Sequence, residues 1–244
     1  MFDLGPVRFS APLVPILSAL LVFPLLLSLG FWQVGRAAER QALLDASAAA
    51  VQQAPVSLDD VSLQAATPRY VPVAVRGRVD ASRQFLLDNR VNGKVAGYEV
   101  LTPVIYKPGK AILINRGWIP LGASRVAKPD VALPDGTALS VEFTGLAVVP
   151  PERFSLGDAA GGDTGWPRVL QVEDFAAISA LLGLEVLPRV VQSADIAWGF
   201  ESIWKPVQKG PEQNYAYALQ WFALAATLVL IVVVLCVRKR QENT

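Results

Sequence analysis

The sequence predicts a membrane α+β protein: two transmembrane helices flank an extracytoplasmic antiparallel β-rich domain, small and barrel-like, with at least one helix. Three observations predict this. Two apolar runs without charged side chains lie near the two ends, at 11–34 and 213–237, and about 20 such residues span a bilayer. Between them, short segments alternate apolar and polar residues, separated by Gly, Pro, Asp and Asn clusters. Finally, 52% of the 244 residues are hydrophobic, more than an ordinary soluble domain carries.

Residues 1–10 read as a cytoplasmic N-terminal tail. The first run has no charge between Arg8 and Arg36. A signal peptide has an apolar core of roughly 7–15 residues followed closely by a small-residue cleavage site. This run is longer, and Ala46-Ser47-Ala48 lies well past its end, so 11–34 is expected to be an uncleaved transmembrane helix, kinked at Pro24. Residues 35–54 are rich in Ala, Leu, Arg, Glu and Gln, good helix formers, and are expected to continue the span as a stalk ending at Ala54-Pro55.

Residues 55–210 read as the extracytoplasmic β-rich domain. Tyr70–Val79 places Val71, Val73, Val75 and Val79 on one face. Gln84–Asp88 reads as a second strand ended by Asn89, followed by strands at Tyr98–Tyr106, Lys110–Asn115 and Ser140–Val149. Residues 158–165 read as a loop. Glu173–Leu182 carries Phe175, Ile178, Leu181 and Leu182 at helical spacing, stopped by Gly183. Leu187–Gln192 is a last strand. The second transmembrane helix follows at 213–237, and 238–244 is a cytoplasmic basic tail. Arg238-Lys239-Arg240 against Lys205 and Lys209, interrupted by Glu212, puts the C-terminus inside. Two spans then put the N-terminus inside too. Arg36 and Arg40 beyond the first span pull the other way, but three adjacent cations are harder to translocate.

Absences limit the chemistry. The chain has no histidine, one cysteine (Cys236) and one methionine. An intrachain disulfide is impossible, and zinc, copper and iron–sulfur sites lack their ligand clusters. A Ser-His-Asp or Cys-His catalytic system is excluded for the same reason. The net charge of +1 gives no sign of nucleic-acid binding.

Three motifs hold candidate contacts. Phe31-Trp32-Gln33-Val34-Gly35-Arg36 closes the first run, where Trp32 and Arg36 are either interfacial anchors or candidate contacts. Asn115-Arg116-Gly117-Trp118-Ile119-Pro120 reads as a strand ending in a turn on Gly117. Arg116 and Trp118 are either a cation and an aromatic plane displayed on the domain surface, or a core Trp beside a structural Arg. Asp88-Asn89-Arg90 reads as a matching turn. The third motif, Pro211 to Phe222, opens the second run. Its Asn214, Tyr217 and Trp221 stand at i, i+3 and i+7 and share one helix face, flanked by Gln220. An aromatic belt explains the Tyr and Trp but not the Asn and Gln side chains at the helix mouths. Such groups bond between helices or face a ligand, and Asn214 is also placed to cap a helix N-terminus.

The strings FWQVGR, QFLLDNR, GYEVLTP, INRGWIP and PEQNYAYALQWFALA, in this order over nearly the whole chain, resemble the surfeit locus protein 1 family, assembly factors of haem-copper cytochrome oxidases. The resemblance implies a bacterial inner-membrane protein with a periplasmic domain and no enzymatic activity. It implies a role in maturing oxidase subunit I, with assistance to haem a insertion, and partners in subunit I, its assembly intermediates and the lipid bilayer. Family members carry a histidine just before the YA-x-x-WF run, where this chain has Asn214. An amide is a poor iron ligand, so no tightly bound cofactor is expected, and only transient contact with haem a is left open. The candidate haem or partner contacts are Trp32, Arg36, Arg116, Trp118, Asn214, Tyr217 and Trp221, with no catalytic or metal residue. The alternatives are a permanent accessory subunit of the mature oxidase and, more remotely, a membrane-tethered hydrolase, for which no carboxylate pair stands out.

Overall fold

A computed structural model of the chain describes residues 3–4, 7–9, 13–63, 68–122, 127–135, 139–151, 165–192, 199–207 and 209–239. In chain order the elements are β1 (Asp3–Leu4), β2 (Val7–Phe9), α1 (Leu13–Val51), β3 (Val56–Ser57), α2 (Leu58–Leu63), β4 (Tyr70–Val79), β5 (Phe85–Asn92), β6 (Val95–Lys107), β7 (Lys110–Pro120), β8 (Ser140–Val148), β9 (Arg168–Leu170), α3 (Phe175–Leu182), β10 (Glu185–Gln192), α4 (Glu212–Cys236) and β11 (Val237–Lys239). They form two compact units, one of residues 46–205 and one of residues 1–45 and 206–244. The predicted loop at 158–165 lies outside the described residues except for Gly165, as does Arg240 of the basic tail.

The unit of residues 46–205 is built on an eight-stranded sheet of order β3-β4-β8-β10-β7-β6-β5-β9. Most pairings are antiparallel, but β3 on β4, β10 on β7 and β9 on β5 are parallel. The sheet curls until the end of β4 also meets β6, through Arg78↔Ile105 and Val79↔Val104. It does not close into a clean barrel. The period-2 pattern of β4 explains one core: Val73, Val75 and Val79 are buried while Ala74, Arg76 and Arg78 are exposed. These valines pack with Ile112, Ile114, Val191 and the α2 residues Leu58 and Val61. Strand β7 is apolar on both faces, so its other face serves a second core. There Ala111 and Leu113 meet Phe85, Leu87, Val190 and the α3 residues Ile178 and Leu182. Helix α3 starts where Asp174 Oδ1 accepts from the Ala176 and Ala177 amides at 3.0 Å, and stops at Gly183 with φ 64°.

Two expected strand ends are corrected. β5 does not end at Asn89, nor does β7 turn away at Gly117; they continue to Asn92 and Pro120. Both positions are bulges. Leu87↔Glu99 and Arg90↔Gly97 leave two residues of β5 opposite Tyr98, with Asn89 at φ 59°. Leu101↔Asn115 and Glu99↔Trp118 leave two residues of β7 opposite Val100, with Gly117 at φ 111°. A single left-handed residue inserts an extra position and bends the strand without ending it.

In the other unit, α1 is helical without interruption through Pro24. β11 pairs with β2 through Val237↔Phe9, Arg238↔Arg8 and Lys239↔Val7. The start of α1 and the end of α4 therefore lie at the same end of the unit, and the two helices run antiparallel. The 25 residues of α4 extend about 37 Å at 1.5 Å per residue, enough to cross a hydrocarbon layer of about 30 Å. Large apolar side chains point outward along both helices, among them Leu20, Leu21, Leu25, Leu219, Leu230 and Val234. Each helix holds an apolar window that is only 6% buried within the chain, which suits lipid. Among the covered positions are Phe23, Leu26, Gly30, Gln33, Ala37 and Arg40 of α1 and Asn214, Ala218, Trp221, Ala225 and Leu228 of α4. Both sets recur in alternating steps of three and four, the pattern of a coiled-coil seam. Phe31 and Phe222 meet edge to face at 5.3 Å between centroids.

Candidate functional site

The mouth of the helix pair is organised by Asn214, the third residue of α4. Its side chain is buried. Its Nδ2 donates to Gln33 Oε1 at 2.6 Å, and its Oδ1 accepts from Arg40 Nη1. The same Nη1 also reaches the Gly210 carbonyl at 3.4 Å. Gln33 and Arg40 are seven residues apart on α1, so the heptad seam brings both to one side. A tie of this kind links polar side chains of the two helices across their seam.

The predicted contacts do not all gather there. Tyr217 and Trp32 are exposed and Trp221 is half-buried. Tyr217 leaves the covered seam, which runs from Asn214 to Ala218 instead. Arg36 pairs with Glu39 on the exposed side of α1, and the cation that meets Asn214 is Arg40. Its signal was in the sequence, in the seven-residue step from Gln33, but it shows only once the seam is known.

The other two candidates belong to the sheet. Arg116 and Trp118 are buried, at 3% and 9% exposure, so they are not a pair displayed on the surface. The β7 bulge sends them into separate bonds. Arg116 Nη1 donates to Gln84 Oε1 at 2.7 Å and to the Val131 carbonyl at 2.5 Å, and Nη2 reaches the Ala132 carbonyl at 3.3 Å. Its guanidinium lies 4.8 Å from the Phe200 ring centroid. Burial pushes the Arg116 pKa down to about 10 against the pull of Asp130, so it stays charged at neutral pH. Trp118 Nε1 donates to the Arg90 carbonyl at 3.0 Å.

Arg90 in turn lies between two carboxylates, Glu99 at 2.9 Å and Glu173 at 3.0 Å. Asn115 Nδ2 donates to Glu99 Oε1 at 2.7 Å while Asn115 Oδ1 accepts from the Gly117 amide at 2.8 Å. The two bulges thus bring Arg90, Glu99, Glu173, Asn115, the Gly117 amide and Trp118 into one largely buried polar network. Glu99 and Glu173 carried no sequence signal, since their partner stands on another strand. The network holds the 199–205 segment on β7: Phe200 N donates to the Arg116 carbonyl at 2.5 Å and Trp118 N to the Glu201 carbonyl at 2.7 Å.

Chemically, the sheet network is a fastening whose charges are already matched. The helix mouth differs. Among the described residues no carboxylate pairs with Arg40, so its guanidinium can receive an acidic group. Asn214 has its oxygen and nitrogen both committed, so this mouth does not fit a haem iron ligated by residue 214.

The sequence model of the SURF1 family matches residues 20–226 of the chain, from within α1 to within α4. A SURF1-like protein of Rickettsia felis is 31% identical over 104 residues, a match covering 42% of this chain and 45% of that protein. The matched part is therefore less than half the length of that relative.

Proposed function

This chain belongs to the SURF1 family, and we propose that it is a non-enzymatic assembly factor of a haem-copper terminal oxidase. The observation that carries the reading is the extent of the family match, which reaches into both helices and covers all of the sheet unit rather than one motif. In this reading the protein sits in a bacterial inner membrane with the sheet unit in the periplasm. It engages oxidase subunit I and its assembly intermediates, and it assists haem a insertion. The contact surface is the helix mouth around Arg40, where an acidic group of the client or its haem meets the guanidinium. Iron ligation by residue 214 is no part of the role.

Deleting the gene tests the reading. Assembled oxidase or its haem content falls while subunit transcripts stay level, and the wild-type chain restores it. Undiminished oxidase in a deletion strain without a paralogue ends the proposal. Co-purification with mature enzyme at fixed stoichiometry identifies a permanent subunit instead. An absorbance spectrum of the purified chain shows no low-spin haem of the histidine-ligated type; a tightly bound one overturns the account of the mouth.

A further inference from the structure

One corner of the sheet unit carries cationic and N–H donors that the chain itself does not use. Arg69 immediately precedes β4. Among the described residues its guanidinium makes no ion pair and no hydrogen bond, and its Nε is buried without a partner. The guanidinium lies 5.9 Å from the Tyr70 ring centroid. The Trp204 ring meets the same Tyr70 ring edge to face, 6.4 Å between centroids. Trp204 is half-buried, and its indole N–H donates to no described residue. Lys205, next in the chain, is exposed and forms no ion pair among the described residues. Buried Arg189 donates Nη1 to the Pro68 carbonyl at 2.9 Å and reaches the Arg69 carbonyl at 3.5 Å, holding the backbone that carries Arg69. Val149, 37% exposed, donates its amide to that same Arg69 carbonyl at 3.1 Å and adds an apolar surface.

We propose that this corner binds the phosphate of an anionic phospholipid headgroup. A guanidinium presents paired N–H donors that match the oxygens of a phosphate. An indole carries an apolar body and a polar N–H tip, so it sits where acyl chains give way to headgroups. A cation, an indole and an aliphatic side chain together are the composition of a membrane interface. The chain selects the source of the phosphate. Lys205 stands seven positions before Glu212, where α4 begins, and seven residues of chain reach at most about 25 Å. Phospholipid headgroups are the acidic groups always present within that reach of a membrane helix. The inference stands apart from the oxidase reading and rests only on α4 crossing a membrane.

The test uses the full chain in phosphatidylcholine nanodiscs holding a trace of phosphatidylglycerol with a photoactivatable headgroup. Cross-links are mapped by mass spectrometry. They are expected at residues 68–70 and 203–205, and unlabelled phosphatidylglycerol suppresses them where added phosphatidylcholine does not. Arg69→Gln lowers them about tenfold, the scale of one charge-assisted hydrogen bond, and Arg69→Lys recovers part of the loss. Arg76→Gln, which removes an exposed β4 cation already paired with Glu142, leaves them unchanged. Should Arg69→Gln fail to accumulate, Trp204→Phe removes only the indole donor and lowers them about threefold. Labelling absent from both segments, labelling suppressed equally by phosphatidylcholine, or wild-type labelling in a folded Arg69→Gln or Trp204→Phe chain overturns the proposal. Inorganic phosphate that displaces the label as well as phosphatidylglycerol does assigns the site to a soluble anion and overturns the lipid as its ligand.

Discussion

Gly117 shows how much one residue decides in this fold. Its φ of 111° lies where side chains are strained, and a Cβ there would stand 2.5 Å from the Phe200 carbonyl oxygen. The bulge it forms aims Arg116 and Trp118 into their separate bonds and receives the 199–205 segment. Gly117→Val is therefore expected to cost several times the usual point-mutation penalty of about 1 kcal/mol. The loss reads out as lower protein level and failed complementation; wild-type abundance and activity would show that the bulge does not matter. Asp80 makes a second residue-scale test. Burial alone would raise its pKa, but hydrogen bonds from Ser82 and Arg83, at 2.7 Å each, together with the Arg83 charge, hold it below the usual carboxylate range. A depressed carboxylate contributes stability that is present above its unfolded pKa and is lost as pH falls through the folded one. Asp80→Asn is expected to lower the melting temperature at pH 7, with the difference from wild type shrinking in the acid range below about pH 4. An undiminished difference at low pH would place the effect in packing instead of charge.

At the scale of elements, the contact between α1 and α4 is set by shape. Gly30 is buried, and a Cβ built on it falls deep inside the contact distance of the Phe222 ring. The two helices approach at this level because position 30 has no side chain. Gly30→Leu is expected to separate them and break the Gln33–Asn214–Arg40 tie above. A spin-label distance between α1 and α4 near their mouths should lengthen, and Phe222→Ala in the same chain should partly restore it. An unchanged distance in Gly30→Leu would mean that the polar tie alone holds the helices. The strand bulges follow a similar rule. Asn89 and Gly117 look like strand ends because residues favouring left-handed backbone usually mark turns. Strand β6 supplies partners beyond both positions, so the ladder resumes after one extra residue.

For the molecule as a whole, the pairing of β2 with β11 puts both chain ends at one end of the helix pair. An antiparallel pair crossing the membrane leaves both termini on one side, and the proposed orientation, with that side cytoplasmic, rests on Arg238, Lys239 and Arg240. Reporter fusions after Asp60 and after Pro150 are expected to read outside, and a fusion at Thr244 inside. An outside reading at Thr244 would reverse the arrangement.

The two helices, the strand-rich middle and helix α3 were legible in the residues themselves, because each rests on local periodicity. Runs of apolar residues need about 20 positions to cross lipid, and a strand's two faces alternate whatever lies beyond them. The candidate site was legible only in part. Asn214 stood out as a polar residue at an apolar helix mouth, but its partners did not, since Gln33 and Arg40 lie more than 170 residues away in sequence. Arg116 and Trp118 were visible as a pair, yet nothing in their spacing tells a displayed pair from a buried one. The tertiary structure decided that, because burial and hydrogen-bond partners depend on which strands meet, and that choice belongs to the whole sheet.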